Sequence, residues 1–225
     1  MPRLNELIKL YNLIDLVEER QGGKRTLNFC HGRMGWPKKG VYFFFEEGEL
    51  RLQSGDGMRV VRVGTHALTA TSRATLWSRL RQHKGNAQNG TGNHRGSIFR
   101  LLLGEALQLR AQINCPTWGQ GNNASAVVRL NEVPFETQVS QYIGTSMPFI
   151  ILEAVTPELR TQIERNCIAL LSNSERTPLD PHSSNWLGLH SPRLLVLQSG
   201  LWNQQHVNEV WQPGFVDELM QPLLQ

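Results

Sequence analysis

The stretch GVYFFFEEGELRLQSGDGMRVVRVGT, residues 40 to 65, decides how the chain folds. Val41 to Glu46 is an aromatic and β-branched run of strand length, and Met58 to Thr65 resumes it with valines at 60, 61 and 63. Glu47 to Gly57 between them is rich in turn-forming residues. Side chains of the first kind suit a pleated, half-buried surface, so the stretch reads as a β-hairpin with a long connection.

Working outward, residues 3 to 20 place Leu4, Leu7, Ile8, Tyr11, Ile14 and Leu16 at helical spacing and stop before Gly22-Gly23, which predicts a docking helix. On the other side, Ser72 is positioned to cap a helix through about Lys84, with Leu76, Trp77 and Leu80 as its apolar stripe and Gly85 just past its end. Gly85 to Gly96 holds four glycines and three asparagines and is expected to be a mobile loop. A second helix is expected over Ser97 to Arg110 and another over 132 to 143, ending at Gly144; residues 111 to 131 stay open. Met147 to Val155 has the composition of a buried strand. Thr156-Pro157-Glu158 supplies an N-cap, a proline at the first helical position and an acid in the first turn, opening a helix to about Ser172. From Asn173 onward, prolines and the span Trp186 to Trp211 suggest an irregular cap on the same core. The order of elements predicts an α+β fold, a small antiparallel three-stranded sheet flanked by helices.

The 225 residues suffice for a core without disulfide staples, and no apolar run reaches the roughly 18 residues of a membrane helix. Glu6, Lys9 and Asp15 break the apolar continuity that a secretion signal needs. Cys30, Cys115 and Cys167 are odd in number and far apart, which suits a reducing cytoplasm and argues against a zinc site. The net charge is +4, but it is unevenly spread. Of 23 cations and 19 acids, eight cations and no acid lie between Gly57 and Gly104, together with His66, His83 and His94. An acid-free basic window in an otherwise slightly acidic chain has the form of a phosphate-backbone footprint; a solvated basic face is the competing reading.

Gly40-Val41-Tyr42 at a strand start, a second strand ending in Val63-Gly64, and Leu76-x-x-Arg79-Leu80-x-x-His83 on a helix together resemble the GIY-YIG nuclease superfamily. The resemblance covers about residues 40 to 185. It implies a nuclease domain there, with an insertion at about 85–145, an N-terminal helix and docking segment over 1–39, and a C-terminal cap over 186–225. It further implies a divalent-metal-dependent endonuclease acting on DNA, most naturally double-stranded, with Mg²⁺ or Mn²⁺ as cofactor. A module that kept the fold and lost the chemistry is the alternative.

Phosphodiester cleavage needs a cation where charge grows on the phosphorane-like transition state. Arg79 is the candidate, since the guanidinium fork matches phosphate oxygens and His83 shares its helix face one turn on. His83 is expected to donate to the phosphate or the leaving oxygen. Glu164, which borders the apolar stripe of its helix, resembles the family's metal-binding glutamate. Pairing with Arg160 is the ordinary alternative. Tyr42 resembles the first family tyrosine, which orients or activates water, although packing on Trp36 or Phe44 would also use it. Where the second tyrosine stands, this chain has Arg62, which could bind a phosphate oxygen directly. The literal string Tyr142-Ile143-Gly144 is a decoy, being far from the hairpin. For the family asparagine, Asn173 and Asn185 compete, and Asn185 is preferred. Arg73, Arg81, Lys84, His94 and Arg95 are expected to contact the nucleic acid backbone.

Overall fold

The computed structural model describes residues 2–69, 71–86 and 89–221. The hairpin is formed by strands β1 (Gly40–Leu50) and β2 (Met58–Gly64), and β3 (Phe149–Glu153) pairs with the other edge of β1, giving an antiparallel sheet of order β2-β1-β3. The helices are α1 (Pro2–Arg20), α2 (Leu76–Lys84), α3 (Ile98–Ala111), α4 (Ala126–Ser146), α5 (Pro157–Leu171), α6 (Leu194–Ser199) and α7 (Phe215–Met220). No helix among the described residues is long and apolar enough to cross a membrane.

β1 is buried on both faces because successive side chains alternate between two helical layers. Val41, Phe43 and Phe45 pack with residues of α1, α5 and α7. Tyr42 and Phe44 pack with residues of α2, α3 and α4. The pairing register shifts between Phe44 and Phe45: Arg62 sits opposite Phe44 and Val60 opposite Phe45, leaving Val61 as the extra residue. That bulge turns Arg62 toward the α2–α3 side, where its guanidinium lies 4.7 Å from the centre of the Phe99 ring.

Several boundaries differ from the sequence expectation. β1 continues to Leu50, held by a buried cross-strand pair in which Arg59 Nη2 reaches Glu49 Oε2 at 2.5 Å. α2 is capped by Thr75, not Ser72. The Ser78 amide donates to Thr75 Oγ1 at 3.1 Å and the Thr75 amide to Ser78 Oγ at 3.0 Å, a closed capping box that Ser72 cannot form. α4 begins at Ala126, runs through Pro134 and passes Gly144, where the helix was expected to stop. A Cβ at Gly144 would lie 2.1 Å from Asn28 Oδ1, so this glycine admits a close approach and does not end the helix. Tyr142-Ile143-Gly144 is thus helical, and the Tyr142 hydroxyl donates to Glu46 at 2.6 Å.

The C-terminal segment joins the sheet edge. The Trp202 amide donates to the Val61 carbonyl at 2.7 Å, and Asn203 exchanges hydrogen bonds of 3.1 and 2.8 Å with the Val63 amide and carbonyl. This covers β2, an edge strand that would otherwise present unpaired backbone groups.

Candidate functional site

At the C-terminal end of β2, one helical layer meets the other. α2 brings Arg79 and His83 from one face of the sheet, α5 brings Glu164 from the other, and the hairpin brings Tyr42 and Arg62 between them. Tyr42 pairs with Gly64 across the hairpin, and a Cβ at Gly64 would lie 2.5 Å from the Tyr42 hydroxyl. Only glycine lets the phenol cross the second strand. The hydroxyl lies 2.9 Å from His83 Nε2, and His83 Nδ1 lies 2.8 Å from Ser97 Oγ.

His83 therefore differs from expectation. The imidazole is fully buried and both ring nitrogens are engaged, so it faces the phenol and not a phosphate. Burial pushes its pKa well below the ordinary histidine value, and the cations Arg79, Arg62 and Arg100 push the same way. A neutral ring held by Ser97 is a positioning group for Tyr42.

Arg62 is buried and donates to the Trp202 carbonyl. Burial pulls its pKa below the usual guanidinium value, while Tyr42 and Glu164 beside it raise it again. Arg79 donates through Nη1 to Gln82 Oε1 at 2.8 Å and to the Gly96 carbonyl at 3.3 Å. The Nε groups of both arginines are buried without a hydrogen-bond partner. Burial raises the Glu164 pKa; Arg62, His206, the Thr65 amide and Arg79 oppose the shift without cancelling it. Arg160, the alternative partner for Glu164, instead donates to the carbonyls of Ala154, Val155, His66 and Ala67.

Among the described residues, no group of three or more His, Cys, Asp or Glu surrounds a common centre. Glu164 is the carboxylate that Arg62 and Arg79 face. A single carboxylate fits Mg²⁺, which keeps several waters and takes further oxygens from a phosphate.

The remaining expected residues separate. Asn185 is exposed and stands beside Glu47, Arg110 and Tyr142 at the opposite end of β1. Asn173 accepts from Arg3 at 3.1 Å and from the Leu179 amide at 3.3 Å, a role in tying the chain ends. His94 is buried, with Nδ1 2.9 Å from Glu136 Oε1, and Nε2 accepts from the Gly119 amide at 3.1 Å. Arg95 forms a two-pronged pair with Glu132 at 2.6 and 2.8 Å, its side chain 4 % exposed. Residues 93–96, expected to be mobile, are thereby anchored; Ala87 and Gln88 of the same loop lie outside the described residues. Lys84 donates to the carbonyls of Asn28 and Cys30. Arg73 and Arg81 are exposed.

Three groups near the cluster escaped the sequence reading. His206 neighbours Glu164 and sits 2.8 Å from Glu209, which also binds Arg165. Asn203 secures Val63 between Arg62 and Gly64. His66, counted only among the histidines of the basic window, lies two residues past the end of β2 and faces Arg79.

A family model described as GIY-YIG domain matches residues 1–225, the whole chain. The chain belongs to the GIY-YIG family. The family is one of nucleases, so the fold and the broad functional class follow from membership. No curated protein and no solved structure matches the chain significantly. Glu132 and Glu136 of α4 neutralise Arg95 and Arg100, cations that the sequence left free.

Proposed function

We propose that this GIY-YIG chain is a divalent-metal-dependent endonuclease that hydrolyses phosphodiester bonds in DNA. The observation that carries the reading is the pair of buried, unpartnered Nε–H groups of Arg62 and Arg79 beside the Glu164 carboxylate. A buried donor without a partner costs about 1–3 kcal/mol, and an anion seated between two such donors removes that cost. A phosphodiester supplies the anion.

In this reading Arg79 and Arg62 bind the non-bridging phosphate oxygens and stabilise the charge that grows as water adds. Tyr42, held by neutral His83, orients the attacking water. Glu164 holds Mg²⁺ or Mn²⁺, which when bound neutralises the phosphate and the leaving oxygen. A groove of about 1100 Å³ lined by Arg33, Trp77, Arg81, Lys84 and Gly96, the last bonded to Arg79, carries cations suited to a nucleic acid backbone.

Supercoiled plasmid incubated across a metal series tests the proposal. The parent is expected to nick with Mg²⁺ or Mn²⁺ and not in EDTA. Arg79→Ala and Glu164→Ala are expected to lose at least about 100-fold in rate with modest loss of DNA affinity in EDTA. Equal nicking by both variants refutes the assignment. The exchange of a tyrosine for Arg62 favours one further reading, a binding module without chemistry; DNA binding by a parent that fails to cleave with every metal of the series supports it.

A further inference from the structure

His66 is a buried group for which the mechanism above has no use. The residue is 6 % exposed, and neither ring nitrogen has a hydrogen-bond partner. The Lys38 carbonyl lies toward the ring but outside hydrogen-bond geometry. The ring's position is strongly determined. On one side, Thr65 donates from Oγ1 to the Gly40 carbonyl at 2.8 Å, and its amide lies beside Glu164. On the other, Ala67 adopts a left-handed backbone, φ 54°, an uncommon conformation for a residue with a Cβ. Arg160 clamps both carbonyls at this corner, donating to His66 at 3.1 Å and to Ala67 at 2.7 Å. A strained residue and a fully used arginine thus hold in place an imidazole that bonds to nothing.

We infer that His66, two residues past the end of β2 and facing Arg79, is a third donor to the phosphate anion, alongside the unpartnered Nε–H groups of Arg62 and Arg79. The inference rests on the nuclease reading of the same cluster. Three observations converge on it. Both ring nitrogens of His66 are buried without a partner, as are the Nε groups of Arg62 and Arg79. The charges facing His66, those of Arg79, Lys39 and Arg160, are all positive, so an anion is the complementary ligand. Burial and these cations also hold its pKa down, at about 4, so near neutrality the ring carries one N–H and no charge of its own. Such a ring discriminates by hydrogen bonding: it positions an oxygen without adding a further cation to a site that must also accept a metal ion.

The test uses the full chain with inorganic phosphate as probe, in EDTA. His66→Leu removes the donor at similar volume, and His66→Gln restores an N–H. Phosphate affinity measured by calorimetry is expected to fall about tenfold in His66→Leu and to return to within about threefold of the parent in His66→Gln. Thermal stability of His66→Leu without phosphate is expected to equal or exceed that of the parent, because an unsatisfied buried polar group has gone. A purely structural histidine would give the opposite sign. Addition of phosphate to the parent is expected to produce a hydrogen-bonded imidazole N–H resonance that His66→Leu lacks. Unchanged phosphate affinity in folded His66→Leu overturns the inference while leaving the nuclease reading intact, provided that Arg79→Ala loses affinity and nicking. A parent that neither binds phosphate nor nicks plasmid overturns both.

Discussion

The acid-free basic window feeds two buried clusters that differ in how their N–H groups are used. In one, His94, Arg95 and Arg100 meet Glu132 and Glu136. Arg100 alone donates to Glu136 Oε2 at 2.5 Å, the His83 carbonyl at 2.7 Å, and Ser140 Oγ and the Glu136 carbonyl at 2.9 Å. In the other, Arg62 and Arg79 face the Glu164 carboxylate, Arg79 also faces His66, and each of the three keeps at least one buried nitrogen without a partner. Both clusters are cationic in sequence. The first is saturated and holds α4 onto α2 and α3; the second retains capacity for an anion. Unspent hydrogen bonding, rather than burial or charge, separates a site from a strut.

The largest effects should come from breaking the saturated cluster. Glu136→Ala leaves Arg100 buried and charged without its carboxylate, and it also frees His94. Loss of one member of such a pair costs about 3–5 kcal/mol, or on the order of 10 °C in Tm for a chain of this size. Arg79→Ala is expected to shift Tm by no more than about 2 °C while abolishing nicking. Differential scanning calorimetry of the two variants measures both, and similar Tm values would erase the distinction. Next in size is Glu46→Ala. Glu46 accepts from Trp186 Nε1 at 3.1 Å, Trp202 Nε1 at 2.8 Å and the Tyr142 hydroxyl at 2.6 Å. Its removal orphans three donors, for an expected loss of about 2–4 kcal/mol in urea unfolding and a changed tryptophan near-UV spectrum. Glu46→Gln keeps an acceptor oxygen and should lose less.

Sequence made one cluster far more legible than the other. The hairpin, the Thr156-Pro157 helix start and the spacing of Arg79 and His83 are local signals, and they brought Tyr42, Arg62, Arg79 and Glu164 to one place. His94 and Arg95 were misread because their neutralising acids lie about forty residues away, and nothing local announces that pairing. The start of α4 was hidden for a related reason. Residues 111 to 131 stayed open, and the helix expected from 132 begins at Ala126; Glu132 and Glu136, on either side of Pro134, tie it to basic partners about forty residues back. Ser72 and Thr75 are equivalent as cap types; only Ser78, three residues beyond Thr75, closes the box. The bulge at Val61, which aims Arg62, left no mark in a run of valines.

Glu164 offers a sharper probe of the unsaturated cluster through pH. Unfolded, its carboxyl titrates near 4.3. Folded, it titrates higher, because burial outweighs the pull of Arg62, His206, the Thr65 amide and Arg79. Between the two values the folded state keeps a proton that the unfolded state releases, so this group's contribution to stability falls as pH rises through the window and stays low above it. Below about pH 4 both states are protonated and the penalty vanishes. Glu164→Gln should therefore melt on the order of 2 °C above the parent at pH 7 to 8 and level with it below about pH 4, while nicking is lost. A variant that is less stable than the parent at neutral pH would mean that Glu164 is a structural acid like Glu136.

The smallest expected effect belongs to the exposed cations. Arg73 and Arg81 are exposed, with no ion pair in direct contact among the described residues, so each can release counterions from DNA at little cost to the fold. Arg81→Ala is expected to weaken DNA binding in EDTA by a few-fold, to reduce the slope of log affinity against log salt by about one, and to leave Tm within about 1 °C. Arg95 provides the contrast. It donates to Glu132 and to the carbonyls of Thr117 and Gln120, so Arg95→Ala should lower Tm and leave the salt slope unchanged. The slopes come from fluorescence anisotropy of a labelled duplex over a salt series. If Arg95→Ala flattened the slope as much as Arg81→Ala does, the Glu132 pair would have to open on DNA, and the saturated cluster would itself be part of the nucleic-acid surface.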